Sequence, residues 1–135
     1  MQLKKGVKQM VAEAMAEIET VATADAIARH GDDATVFVDI RDVRELDKEG
    51  MIPGAVHAPR GMLEFWVDPD SPYHREVFAQ EDKTFLLYCR SNWRSALATK
   101  VLQDMGLANV AHIEGGYGGW MDAGGPTGER PKKST

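Results

Sequence analysis

The chain has 135 residues, 27% of them charged and 43% hydrophobic, with a net charge of −5. These values describe one soluble globular domain, and an acidic balance with no basic stripe excludes a nucleic-acid footprint. One cysteine excludes an intramolecular disulfide; no stretch approaches the roughly 18 apolar residues of a membrane span, and the first residues lack the apolar run of a signal peptide, so the expected setting is cytoplasmic with no membrane partner.

Residues 1–19 form the first predicted unit. Leu3, Val7, Met10, Val11, Ala14, Met15 and Ile18 recur at helical spacing among Lys and Glu, the pattern of an amphipathic helix. Its stripe is expected to pack on the domain, with a homodimer or partner contact through the same face as the alternative. Residues 19–21 read as a short strand. Thr23 is placed as the N-cap of a helix to Arg29, with Asp25 in the first turn and Gly31 as the stop.

Residues 35–40 are nearly continuously apolar, which suits a central strand covered on both faces. The strand ends in Asp39-Ile-Arg-Asp-Val-Arg-Glu45, which begins a charged helical turn. A turn cluster at 50–55 leads to a brief strand at 56–58, stopped by Pro59 and Gly61. Residues 61–67 read as a short helix, 68–72 as a loop and 73–80 as weakly helical.

Residues 84–88 form an apolar strand that delivers Cys89 into a polar loop, Cys89-Arg-Ser-Asn-Trp-Arg-Ser95. A helix follows, with Leu97, Ala98, Val101, Leu102 and Met105 on its apolar face and Gly106 as its stop. Residues 109–113 read as the next strand, and Glu114-Gly-Gly-Tyr-Gly-Gly-Trp120 as a glycine-rich turn into a short helix. Residues 127–135 have nothing to bury and are expected to be a flexible tail.

Short strands alternating with helices predict an α/β fold with a parallel sheet. Ligands bind at the carboxyl ends of such strands. Ile40-Arg41, Pro59-Arg60, the Cys89 loop and Glu114-Gly115 are therefore expected on one rim.

A buried packing role is the common fate of a free cysteine. The six residues after Cys89 are too polar for a buried run, and a helix begins among them. Unpaired amides at a helix N-terminus, together with Arg90 and Arg94, are conditions under which a thiol becomes a nucleophilic thiolate. His30, His57, His74 and His112 have no ligand-like spacing and, with one cysteine, make no zinc site; each is read as a surface or packing residue. The Gly115–119 cluster lacks the Lys and Ser/Thr of a phosphate loop and reads as a tight turn. Trp66, Trp93 and Trp120 read as packing residues, with Trp93 placed where it can wall a pocket.

These motifs together resemble a small single-domain member of the rhodanese family of sulfurtransferases. The resemblance covers about residues 20–126. It rests on Val38-Asp-Ile-Arg-Asp-Val-Arg-Glu45, Gly50-Met-Ile-Pro-Gly-Ala-Val-His57, Tyr88-Cys-Arg-Ser-Asn-Trp-Arg-Ser95 and Glu114-Gly-Gly-Tyr-Gly-Gly-Trp120. It implies a parallel five-stranded sheet with helices on both faces, to which the N-terminal helix is an addition. It also implies that Cys89 takes a sulfane sulfur, becomes a persulfide without any separate cofactor or metal, and passes the sulfur on.

The implied donor is a small anion such as thiosulfate, and the implied acceptor a thiol, cyanide or a thioredoxin-like dithiol. The loop residues Arg90, Ser91, Asn92, Trp93, Arg94 and Ser95 would surround the donor, with Arg90 and Arg94 on its negative charge. Arg41 and Arg60 are further candidates for anion contact on the rim. Asn92 stands where the family usually has glycine, and is read as a residue tolerant of positive φ.

Two alternatives remain. One is a dual-specificity phosphatase or arsenate reductase using the same cysteine; the other is a non-catalytic rhodanese-like binding module. Phosphatase loops place five residues between Cys and Arg, whereas four separate Cys89 from Arg94, a size that suits one sulfur atom.

Overall fold

Val36, Phe37 and Val38, and Phe85, Leu86 and Leu87, are apolar on successive positions, so neither segment has a face to give to water. The computed structural model, which describes residues 1–131, makes these the two central strands. In chain order the elements are α1 (Val7–Glu17), β1 (Glu19–Val21), α2 (Thr23–Ala28), β2 (Thr35–Asp39), α3 (Val43–Glu49), β3 (Val56–His57), α4 (Leu63–Val67), β4 (Thr84–Tyr88), α5 (Trp93–Asp104), β5 (Val110–Ile113) and α6 (Gly116–Asp122). Single 3-10 turns occupy Arg60–Met62 and Glu76–Ala79. Among the described residues no helix is long and apolar enough to cross a membrane.

The strands form one five-stranded parallel sheet in the order β1-β5-β4-β2-β3. Alternate residues of the central strands feed two cores. Val38, Phe85, Leu87 and Cys89 pack toward Leu63, Ala98 and Leu102 on one face. Phe37, Leu86 and Tyr88 pack with Ile52, Tyr117 and Trp120 on the other. Each fully buried side chain of this size contributes about 1.5–3 kcal/mol. With all strands parallel, the ends of β2 and β4 share one rim, and Ile40 N–H donates to Tyr88 O across it at 3.1 Å.

The N-terminal helix is present, and it packs through a narrower stripe than its sequence implies. Val11 and Ala14 are buried against Ala96 of α5, while Val7, Met10 and Met15 stay exposed. Two facing alanines let the helix axes approach closely, so few flanking side chains are covered. α5 buries Ser95, Ala96, Ala98, Thr99 and Leu102, whereas Met105, expected on its apolar face, is exposed.

Two local expectations are corrected. Thr23 is the first residue of α2 and not its cap; its hydroxyl donates to Glu114 O at 2.8 Å and ties α2 to the end of β5. The expected flexible tail is anchored as far as it is described. Gly128 and Met51 exchange two backbone hydrogen bonds, of 2.8 and 2.9 Å, and Arg130 Nε donates to Asp47 at 2.8 Å. Trp120 Nε1 donates to Pro126 O just before it. Backbone pairing holds this segment without apolar burial; the rest of the predicted tail, 132–135, lies outside the described residues.

Tyr88 joins β4 to the loop before β3: its Oη accepts from Ile52 N–H at 3.1 Å, with both residues fully buried. Tyr88→Phe leaves that amide without a partner and is expected to lower stability by about 1–3 kcal/mol, measured as the change in urea unfolding free energy.

Candidate active site

Cys89 sits where β4 stops and α5 begins, and only 1% of its surface is exposed. The first amides of a helix have no carbonyl four residues back to bond. Here the loop uses one of them: Ser95 N–H points at Cys89 Sγ at 3.4 Å. The positive end of the twelve-residue helix α5 therefore faces the sulfur.

The carbonyls of the loop are taken up elsewhere. Cys89 O accepts from Tyr117 N–H at 2.8 Å and Arg90 O from Gly118 N–H at 3.0 Å, both at the start of α6. Gly116 makes this approach feasible: its φ is +58°, and a Cβ there would collide with Ser91 O and Cys89 O. Asn92 adds a side-chain link, its Oδ1 accepting from Gly115 N–H at 2.8 Å. Its φ is −132°, so its tolerance of positive φ is not used. Asn92 serves through its side chain, bridging to the glycine turn. Trp93 opens α5 and is exposed beside the loop.

Charge around the loop is paired. Arg94 Nη1 and Nη2 donate to the two oxygens of Glu45 at 2.8 and 3.1 Å. This carboxylate raises the Arg94 pKa; burial opposes it, and the nearby Cys89 sulfur adds a smaller push upward. Arg90 lies along α6 over Gly118, with Nε donating to both oxygens of Glu49 at 3.1 Å. Arg60 is held by Glu64 at 2.8 Å. Arg41, expected as an anion contact on the rim, is wholly buried. Its guanidinium bonds both oxygens of Asp39 and Gly50 O, and lies over the Tyr117 ring. An arginine so enclosed cannot reach a ligand at the surface, and that expectation is corrected.

His112, among the histidines expected at the surface or in packing, is the one that packs behind the loop. It is fully buried on β5, between Ser95 Oγ (2.8 Å from Nδ1) and Thr20 Oγ1 (3.1 Å from Nε2). Ser95 Oγ is also 3.2 Å from Asn92 O. One assignment uses each hydrogen once: Thr20 donates to Nε2, Nδ1–H donates to Ser95, and Ser95 donates to Asn92 O. The neutral imidazole thus ties the edge of the sheet to the helix turn that faces the sulfur. The only sequence signal was a histidine interrupting an apolar strand. For Glu45 and Glu49 it was their i, i+4 spacing, which puts both carboxylates on one face of α3.

An open cleft of about 920 Å³, lined by Lys83, Phe85, Phe78 and Leu107 among others, lies at the amino end of β4. Cys89 is at the carboxyl end, where parallel sheets bind ligands.

Known proteins resemble this chain in sequence and in fold. The family model for the rhodanese-like domain matches residues 22–123. An uncharacterized protein of Synechocystis sp. is 35% identical over 95 residues, 70% of this chain and 48% of its own length. The chain thus spans about half of that relative. A sulfurtransferase of Allochromatium vinosum is 29% identical over 110 residues, 82% of this chain and 92% of its own. Among solved structures, a Rhodopseudomonas palustris protein of unknown function, described as a possible tyrosine phosphatase, superposes with a TM-score of 0.92 at 55% identity. The match covers 95% of this chain and 98% of that one.

Burial lowers the His112 pKa to about 4 from an ordinary 6.5. The unfolded chain therefore binds a proton that the folded chain refuses between these values. The resulting stability is full above about pH 6.5 and is lost as pH falls toward 4, by roughly 3 kcal/mol in all. Urea unfolding at pH 7 and 4.5 is expected to show this component in the natural protein, and His112→Asn is expected to lack it.

Proposed function

The chain belongs to the rhodanese-like domain family, and on that premise we propose that it is a sulfurtransferase carrying a sulfane sulfur on Cys89. The observation that carries the reading is the sulfur held against the Ser95 amide at the head of α5, in a loop whose carbonyls are bound away by α6. Such a cradle favours an anion on sulfur.

The Cys89 thiolate attacks the outer sulfur of a donor such as thiosulfate or a persulfide. A new S–S bond forms on Sγ, and the donor's own S–S bond breaks. Its electron pair leaves with sulfite, or with the thiolate of a persulfide donor. The persulfide so formed keeps one negative charge, which the Ser95 amide at the start of α5 and the positive charge of Arg94 would stabilise. A thiolate or cyanide then attacks the terminal sulfur and releases the Cys89 thiolate. No proton transfer is required in either step, which accords with a neutral His112 set behind the loop and not at the sulfur.

The description of the R. palustris structure as a possible tyrosine phosphatase favours a second reading, phosphate-ester hydrolysis through the same cysteine. Against it stands the loop, in which four residues separate Cys89 from Arg94. That is one fewer than phosphatase loops use to surround a phosphate.

Intact-mass measurement after incubation with thiosulfate is expected to show one added sulfur atom on Cys89, removed by cyanide and absent in Cys89→Ser. Arg94→Ala is expected to slow loading by about 10–100-fold, as for loss of a charged contact to a reacting anion. Hydrolysis of an aryl phosphate without sulfur loading would establish the phosphatase reading instead. Loss of both activities would leave a binding module.

A further inference from the structure

We propose that Glu45 sets the charge class of the sulfur donor, supported by Glu49. By pairing with the loop arginines, these carboxylates make the entrance suit a singly charged sulfane donor better than a dianion. This inference rests on the sulfurtransferase reading and narrows its substrate.

The two carboxylates are one turn apart on α3 and face the loop together. Glu45 takes Arg94 in a two-point contact of 2.8 and 3.1 Å, and Glu49 takes Arg90 at 3.1 Å. The third arginine near the loop, Arg41, is already bound to Asp39. Three guanidinium groups thus stand against three carboxylates, and their formal charges cancel. Arg60, farther along the rim, is cancelled by Glu64.

A two-point contact uses one N–H from each terminal nitrogen of Arg94 and leaves its other N–H groups unclaimed by Glu45. Hydrogen bonding to a donor is therefore retained while net attraction is reduced. Because Glu45 is bonded to Arg94 at 2.8 and 3.1 Å, an anion drawn to Arg94 also meets the negative charge of Glu45. The repulsion from Glu45 grows in proportion to the charge the donor carries. The penalty that Glu45 imposes is therefore about twice as large for thiosulfate as for a donor with one charge.

The test compares two donors that differ by one charge and share the same chemistry. Thiosulfate is a dianion that releases sulfite; an arenethiosulfonate is a monoanion that releases a sulfinate. With either donor, Cys89 gains one sulfur and the S–S bond pair leaves on the oxidised sulfur. Single-turnover loading of Cys89 is followed by mass at low ionic strength, where screening is weakest.

Glu45→Gln keeps the shape and removes the charge. It is expected to raise loading from thiosulfate by on the order of tenfold, and from the monoanion by only about threefold, because the interaction scales with donor charge. The gain should shrink in high salt. Glu49→Gln, acting through the more exposed Arg90, is expected to change the ratio in the same direction by less, and it keeps the question open to test if Glu45→Gln does not fold.

An equal loss with both donors would mean that Glu45 only orients Arg94, and would overturn the proposal. An unchanged donor ratio would overturn it as well. Failure of the natural protein to load sulfur from either donor would overturn the sulfurtransferase reading itself, a result distinct from an altered ratio.

Discussion

A guanidinium with no exposed surface is the constraint around which the rim is assembled. Arg41 leaves the end of β2, bonds both oxygens of Asp39, donates to Gly50 O beyond α3 and lies 4.3 Å over the ring of Tyr117 in α6. One terminal nitrogen is 3.8 Å from Glu49. Removing such a charge from water is costly, and leaving it with one partner missing costs about 3–5 kcal/mol. The cost of a missing partner ties Arg41 to the groups that enclose it. α3 and α6 must close on Arg41 together, and their closing puts Glu45 and Glu49 on one side of Cys89 and the amides of Tyr117 and Gly118 on another.

Around the sulfur, fixed dipoles and mobile charges have separate tasks. The backbone supplies the local field: the amide of Ser95 and the head of α5 face Sγ, and the carbonyls of Cys89 and Arg90 are drawn off by α6. Such dipoles are already oriented before any substrate arrives, so they need no reorganisation when charge develops. The arginines are each held by a carboxylate at the edge of the loop. His112 belongs to the first group, since it carries no charge at neutral pH and acts through the hydroxyl of Ser95.

The strands and the place of Cys89 between a strand and a helix could be read from the sequence because each has a local cause. Phe85 to Leu87 are apolar without interruption; Cys89 is followed at once by polar residues and a helix start. What escaped was non-local. Arg94 and Arg90 announce positive charge, but their partners are 49 and 41 residues earlier, and no local pattern joins them. Arg41 looked like a rim residue because it follows a strand end, yet the aromatic face that covers it comes from Tyr117. Asn92 fits the loop through its amide oxygen, which accepts from Gly115 N–H 23 residues later, and not through its backbone preference. The stripe on α1 misled in the opposite way: the pattern was local and real, but Ala14 and Ala96 decide how much of it is covered.

The hydrogen bonds from Gly115, Tyr117 and Gly118 bear on how far the reactive loop can be separated from its fold. They fasten it across gaps of 23 to 28 residues in the chain, and closing such gaps has an entropic cost that only the completed sheet offsets. An isolated peptide of the same seven residues would keep the thiol and both arginines but not the direction of a single amide. The loop cannot be transplanted as a motif. Transferring its chemistry to another scaffold requires bringing the glycine turn along with it, and the strand β5 that sets that turn beside β4.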